Sequence, residues 1–252
     1  PGRTPNSEGT HLFSWISAGF SDRGAVREIN EDSFVDVNDK GVWVVADGMG
    51  GHENGRLAST MICDRLARVE GAVRTIDLLD NVEDELIDLN RELFRLAGGR
   101  ETLRTIGSTV VALVALQKHA VCLWAGDSRV YRYRSGVLEQ VTKDHSELQA
   151  LIDKGLVREG DGVAPESANV ITRAIGGEPE VLLDAEIRTL GDGDRYLLCS
   201  DGLYRELSAD ELKSHLSFPD AESACRALEK DMAEHACADN VTAIVIDFHD
   251  IG

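Results

Sequence analysis

The segment Phe34-Val35-Asp36-Val37-Asn38-Asp39-Lys40-Gly41-Val42-Trp43-Val44-Val45-Ala46-Asp47-Gly48-Met49-Gly50-Gly51-His52 holds two short β-branched runs on either side of a turn-like tetrapeptide, Asn38–Gly41. That pattern predicts an antiparallel hairpin. From Arg56 the period changes, and Leu57, Met61, Ile62, Leu66 and Val69 recur at helical spacing. Leu79, Val82, Leu86, Leu89, Leu93 and Leu96 then alternate steps of three and four, with Gly98-Gly99 as the stop signal. After Gly107, four strand-like runs separated by turn residues read as a meander: Thr109–Leu116, Ala120–Ala125, Arg129–Tyr133 and Val137–Val141. Leu183–Arg188 and Arg195–Ser200 are two further strands, Ala209–Leu216 and Ala221–His235 are helical, and Val241–Phe248 closes the series. Strands in blocks and helices in blocks predict an α+β fold with antiparallel sheets rather than βαβ winding. The expected architecture is two sheets packed face to face with helices outside.

A length of 252 residues suits one large domain or two small ones. No proline-rich or serine-rich linker follows Ser14, so the expectation is a single domain over 14–252 and an N-terminal tail, or a remnant of cloning, over 1–13. The longest apolar run, Val110–Leu116, is strand-sized and far short of a membrane span. Twenty-six basic side chains against 45 acidic ones give a net charge of −19. Such a chain repels nucleic-acid backbones and anionic lipid, which excludes both as default partners. It leaves divalent cations as a way of neutralising grouped carboxylates. The five cysteines are odd in number, widely spaced and without a Cys-x-x-Cys pair. They predict packed, reduced thiols and a cytoplasmic setting. The default oligomeric state is a monomer.

Four acidic positions share one context. Val42–Ala46 runs into Asp47-Gly48, Arg195–Cys199 into Ser200-Asp201-Gly202, Leu123–Gly126 into Asp127, and Asp239-Asn240 opens the last strand. An aspartate at a strand end can aim its carboxylate at a shared point while the backbone turns away. Mg²⁺ and Mn²⁺ prefer such oxygen ligands with several waters retained. Two ions side by side can activate a water for attack on phosphorus. An isolated Asp-Gly is most often only a β-turn, and Asp161-Gly162 and Asp192-Gly193-Asp194 are read that way.

Six motifs in order alter the weight of these aspartates: Arg27-Glu28-Ile29-Asn30-Glu31-Asp32-Ser33, Asp47-Gly48-Met49-Gly50-Gly51-His52, Gly107-Ser108-Thr109-Val110-Val111, Gly126-Asp127-Ser128-Arg129, Ser200-Asp201-Gly202-Leu203 and Asp239-Asn240-Val241-Thr242. Together they resemble the metal-dependent serine/threonine protein phosphatases of the PPM (protein phosphatase type 2C) family, bacterial branch, from about Ser17 to Phe248. The resemblance implies a β-sandwich with helices on both sides. It implies that Asp47 bridges two Mn²⁺ or Mg²⁺ ions, that Gly48 offers its carbonyl to one, and that Asp201 and Asp239 complete the other. Glu31 would hold a metal-associated water and Asp32 would steady the ligands nearby. Arg27 would bind the substrate phosphate, a role suited to its planar donors. Asp127 would share a third ion with Asp201, or else cap the turn into Arg129–Tyr133.

Met49 departs from the animal enzymes, which carry a histidine there, and a thioether cannot donate a proton. His52 is a weak substitute, which leaves a metal-associated water to protonate the leaving oxygen. His145 reads as a solvated loop residue, Cys199 as core, and His11, His119, His215, His235 and His249 show no ligand spacing. The polar stretch 142–177, ending in Asn169–Gly176, resembles the flap beside the family's active site and is expected to help choose the protein substrate. The implied activity is hydrolysis of phosphoserine and phosphothreonine in proteins without a phosphoenzyme, opposing a bacterial eukaryotic-like Ser/Thr kinase. The rivals are a phosphoprotein-binding scaffold with little turnover, and a dedicated phosphatase of a regulatory switch protein. The complete acidic set argues against the scaffold.

Overall fold

The strand Val42–Met49 is apolar at almost every position because both of its faces are buried. Trp43 and Val45 point into a core between two sheets, whereas Val42, Val44 and Ala46 pack under helices on the other side. This alternation is the plan of the whole molecule, a computed structural model that describes residues 12–51, 53–70, 75–101, 104–158 and 170–252.

The described elements, in order, are β1 (Phe13–Asp22), β2 (Asp32–Val37), β3 (Val42–Met49), α1 (Glu53–Ala67), α2 (Thr75–Leu96), β4 (Gly107–Ser108), β5 (Val110–Leu116), β6 (His119–Ala125), β7 (Arg129–Arg134), β8 (Val137–Gln140), α3 (Glu147–Asp153), β9 (Asp184–Thr189), β10 (Arg195–Cys199), α4 (Asp201–Glu206), α5 (Ala209–Leu216), α6 (Ala221–His235) and β11 (Val241–Asp250). One sheet has the order β1-β11-β10-β7-β8 and the other β2-β3-β5-β6-β9, with β4 attached to β3. Every named pair is antiparallel. Trp43, Leu113, Trp124, Tyr196, Ile244 and Phe248 fill the space between the sheets. α1 and α2 cover one outer face, and α4, α5 and α6 the other. The result is the expected four-layer αββα sandwich. Each fully buried Leu, Ile or Phe in such a core contributes about 1.5–3 kcal/mol.

Helix α2 follows the middle of the expected stripe, with Val82, Leu86, Leu89 and Leu93 buried, but its ends are shifted: Leu78 is buried where Leu79 was expected and Leu79 is only partly so, while Leu96 is exposed and Ala97 takes its place. Gly98 and Gly99 both have positive φ, which ends the helix as the glycine pair predicts. α5 begins on a capping box between Ser208 and Glu211.

Three expectations are corrected. The predicted meander is split: β5 and β6 pair in one sheet, β7 and β8 in the other, and the chain crosses between sheets at Gly126-Asp127-Ser128. Gly126 makes that crossing at φ +120°, where a Cβ would lie 2.5 Å from Thr109 Cβ. β1 is absent from the expected strands; it starts at Phe13, inside the supposed tail, and Phe13 is buried opposite Asp250. Its weak signal follows from an edge position with one buried face. Finally, the strand expected over Arg195–Ser200 stops at Cys199, and Ser200 is the N-cap of the short helix α4, which has no counterpart among the expected helices.

Candidate active site

The carboxylates singled out from sequence gather at one end of the sandwich, each delivered by a different strand end. β2 and β3 pair so that Asp32 stands opposite Asp47. Asp201 is the first residue of α4, immediately after β10, and Asp239-Asn240 leads into β11, the strand next to β10. Asp127 lies on the crossover turn between the sheets.

The backbone around them is held by hydrogen bonds. The carbonyl of Asp47 accepts from the Thr109 N–H (2.8 Å) and the Ser108 hydroxyl (2.9 Å), while its N–H donates to Thr109 Oγ1 (3.1 Å). The Gly48 N–H donates to the Glu31 carbonyl (3.2 Å). A Cβ at Gly48 would fall 2.1 Å from the Gly55 carbonyl oxygen and 2.6 Å from that of Glu31. Only glycine fits there. Asn240 clamps the 23–31 loop: its Oδ1 accepts from the Glu31 N–H (2.9 Å), and its Nδ2 donates to the carbonyls of Arg23 (2.8 Å) and Ile29 (3.1 Å). Ser200 donates its hydroxyl to Asp32 Oδ2 (2.7 Å) and accepts from the Thr242 N–H (3.0 Å).

Two arginines meet the acidic group. Arg27 Nη2 donates to Asp239 Oδ2 at 2.8 Å, with the arginine side chain 49% exposed at the mouth of the site. Arg205 Nη2 lies 2.8 Å from Asp201 Oδ2 and 3.5 Å from Asp127 Oδ2. Five aspartates therefore share two guanidinium groups, and crowding alters their protonation. Burial, then the charges of Asp32, Asp201, Asp127 and Asp239, hold the Asp47 carboxyl well above its ordinary range. Burial pushes Asp32 to about 7 against the opposing hydrogen bonds from Ser200 and Thr242. Burial and then the Asp201 charge push Asp127 to about 7, with Arg205 opposing. Asp201 is raised by burial, again against Arg205.

A divalent cation answers this arrangement on several counts. The carboxylates are mutually repelling, three of them (Asp32, Asp127 and Asp201) are buried, and Asp127 Oδ1 has no hydrogen-bond partner. Among the described residues no three His, Cys, Asp or Glu groups close around one ion. Mg²⁺-type ions need no such cage, since one or two carboxylates plus retained waters hold them. The residue set fits a hard, oxygen-seeking ion.

Of the residues named from sequence, Arg27, Glu31, Asp32, Asp47, Gly48, Asp127, Asp201 and Asp239 all belong to this end of the fold. His52, His11 and residues 159–169 of the flap lie outside the described residues. His145 is not a solvated loop residue. It is stacked on Trp124 (6.0 Å, 12°), accepts from the Gly126 N–H at Nδ1 (3.1 Å), and faces Asp184 Oδ2 through Nε2 (3.1 Å). It thereby ties the start of the flap to the turn that carries Asp127. Sequence reasoning gave no role to Ser200, Asn240 or Arg205. Arg205 had a legible signal, because it follows Asp201 by four residues, one turn of helix.

A two-sheet sandwich with helices on both outer faces and an aspartate-lined end, carrying these motifs, defines the class: the chain belongs to the protein phosphatase 2C family, whose model matches residues 23–240. It is 35% identical over 234 residues to the serine/threonine protein phosphatase PstP of Mycobacterium tuberculosis, covering 92% of this chain and 45% of PstP. The chain thus spans about half the length of that relative. Among solved structures it resembles PppA of Pseudomonas aeruginosa, described as a key regulatory component of T6SS, at a TM-score of 0.84 and 39% identity over 92% of this chain and 96% of that one. It also resembles the catalytic domain of PstP in complex with two manganese ions, at a TM-score of 0.78 and 33% identity over 94% and 100% of the two chains.

Proposed function

We propose that this chain hydrolyses phosphoserine and phosphothreonine in proteins with two divalent ions, Mn²⁺ or Mg²⁺, and opposes a Ser/Thr kinase. The observation that carries the reading is the gathering of Asp32, Asp47, Asp127, Asp201 and Asp239 at one end of the sandwich. Family membership and the manganese-bound PstP domain support it. Asp47 with the Gly48 carbonyl, and Asp201 with Asp239, would hold the ions. When bound, such a pair supplies an activated water and positive charge against the phosphoryl group.

The remaining chemistry belongs to the chain. Arg27, half-exposed at the mouth, grips phosphoryl oxygens with its planar donors. Asn240 and Ser200 fix the 23–31 loop and Asp32, so the acidic oxygens stay in place without rearrangement during reaction. Met49 carries no proton to give, so the leaving oxygen draws its proton from water. Beside it a groove of about 330 Å³, lined by Met49, Ile171, Arg173, Glu178, Glu180 and Leu182, receives the polypeptide flanking the phosphoresidue. Glu178 and Glu180 favour basic flanking side chains there. Among the described residues no helix is long and apolar enough to cross a membrane. The five buried, unpaired thiols support a reducing, cytoplasmic setting.

The test is phosphate release from a phosphothreonine peptide with Mn²⁺ present. Asp47→Asn and Asp239→Asn should each remove most of the activity. Unchanged rates in both would overturn the assignment.

A further inference from the structure

Asp127 and Asp201 reach the same place from opposite directions, one from the turn that follows β6 and the other from the first turn of α4. Both are largely sequestered, at 2% and 8% exposure. The point where they meet is taken by Arg205, whose Nη2 touches Asp201 Oδ2 at 2.8 Å and approaches Asp127 Oδ2 at 3.5 Å. The reach of Arg205 is set by its surroundings. Asp201 and Arg205 are one helical turn apart on α4 and share a face. Between them Tyr204 donates its hydroxyl to the Asp127 carbonyl at 3.0 Å. The Arg129 guanidinium lies 3.6 Å over the Tyr204 ring and is itself held by Asp144. The helix is therefore pinned to the very turn whose carboxylate Arg205 meets.

We infer that Arg205 is a tethered counter-cation which fills the position between Asp127 and Asp201 and keeps a divalent ion out of it. This rests on the reading of Asp47, Asp201 and Asp239 as metal carboxylates. It replaces the third ion that the family resemblance suggested at Asp127. A guanidinium is always charged and its planar fork matches carboxylate oxygens, so it is a permanent occupant. Being part of the chain, it is present at a fixed local concentration that no chelator lowers. An entering ion would have to expel it from both carboxylates. An exposed ion pair would resist weakly, but here the two partners are sheltered from water and screening is poor. Arg205 contributes one positive charge where a metal would bring two, and Asp127 Oδ1 remains without a partner. That unpartnered oxygen is what a divalent ion would find once Arg205 is removed.

The experiment counts bound Mn²⁺ directly, by the paramagnetic resonance signal of the free ion and by calorimetric titration, in the full chain. Arg205→Ala should bind one more Mn²⁺ than the unmodified protein, and adding Asp127→Asn to it should abolish the gain. Asp127→Asn alone should leave the unmodified count as it is. Arg205→Gln keeps the length and polarity of the side chain without its charge, and gives the same reading if the alanine variant does not fold. An ion lost from the unmodified protein on Asp127→Asn, or no gain in Arg205→Gln, overturns the inference while leaving binding that Asp239→Asn abolishes, and with it the parent reading, intact. No Mn²⁺ binding that responds to Asp239→Asn sinks the parent reading, and the inference falls with it.

Discussion

Replacing Asp127 by asparagine should stabilise the metal-free protein, and by an amount that grows with pH over a defined window. Burial, reinforced by the Asp201 charge, raises the Asp127 carboxyl from 3.8 to about 7 in the folded state. Between those values the unfolded chain has lost this proton and the folded chain keeps it. Stability of the folded state then falls as pH rises, by about 1.4 kcal/mol per unit. Over roughly three units the loss from this one group approaches about 4 kcal/mol, after which both states are ionised and the slope vanishes. The amide of the Asp127→Asn variant has no proton to lose in this range. The difference in unfolding free energy between variant and parent should be flat below pH 4, rise to about 7, and level off. At neutral pH this corresponds to a midpoint shift of roughly 8–16 °C for a chain of this size. The self-repulsion of a chain of net charge −19 also changes with pH, but nearly equally in the two proteins, so the difference isolates the site. Urea unfolding in the presence of a chelator, at half-unit pH steps, measures it. A difference that stays flat across the window, or that falls with rising pH, would refute the claim that Asp127 is a buried, protonatable member of a crowded acidic group.

Three further outcomes follow from particular contacts. Asp247 accepts from the Arg195 guanidinium and from the Ala221 N–H (2.7 Å), with both charged side chains buried; Asp247→Ala should cost about 3–5 kcal/mol in chemical denaturation, whereas a paired apolar replacement of Arg195 and Asp247 should recover most of it, and equal losses would contradict the account. Gly202→Ala would set a Cβ 2.0 Å from the Asn240 carbonyl; since backbone rather than a flexible side chain stands in the way, loss of Mn²⁺ affinity along with at least about 1–3 kcal/mol of stability is expected, and a variant with normal metal titration and melting would show the packing to be looser than described. Reversing charge at Glu178 and Glu180 should move the ratio of kcat/KM between basic- and acid-flanked phosphopeptides by several-fold, at about 0.2–1 kcal/mol per exposed pair, with a small aryl phosphate as reference; an unmoved ratio removes the groove from substrate choice.

Much of this molecule was legible because its strongest signals are local. The hairpin around Asn38–Gly41 and the stripe Val82, Leu86, Leu89, Leu93 each depend on neighbours within one element. What escaped depends on partners distant in sequence. β6 and β7 both read as strand-like runs separated by a short turn, and nothing local tells that Gly126 sends them to different sheets. β1 presents only a half-buried edge and is defined by its pairing with β11, more than two hundred residues away. The same holds within the site. Asp47, Asp201 and Asp239 announced themselves through glycine- or asparagine-bearing strand ends, but Ser200 acquires its role only when Asp32 is brought to 2.7 Å. His145 was misplaced for the same reason: its polar sequence context resembles a loop, and its shelter comes from Trp124 on another strand.

The carboxylates also explain why so much of the surrounding backbone is fixed by side-chain hydrogen bonds. A group of like charges in a poorly hydrated cleft pushes its members apart, and the cheapest relief is displacement of the loops that carry them. Here such displacement is opposed at each point. Thr109 and Ser108 hold the Asp47 peptide, Asn240 holds the loop bearing Glu31, Ser200 holds Asp32, and Tyr204 holds the Asp127 turn. Two of these anchors extend from β10 and β11, which lie in the sheet opposite β2 and β3. The facing sheets thus supply both the charges and the ties that restrain them. It follows that the anchors and the carboxylates should not behave independently in the metal-free state. Ser200→Ala removes a donor that favours ionised Asp32, so it should cost stability at neutral pH in the parent and much less once Asp32 is asparagine. A double-mutant cycle across Ser200 and Asp32 that returns no coupling would show the acidic group to be held by the strands alone.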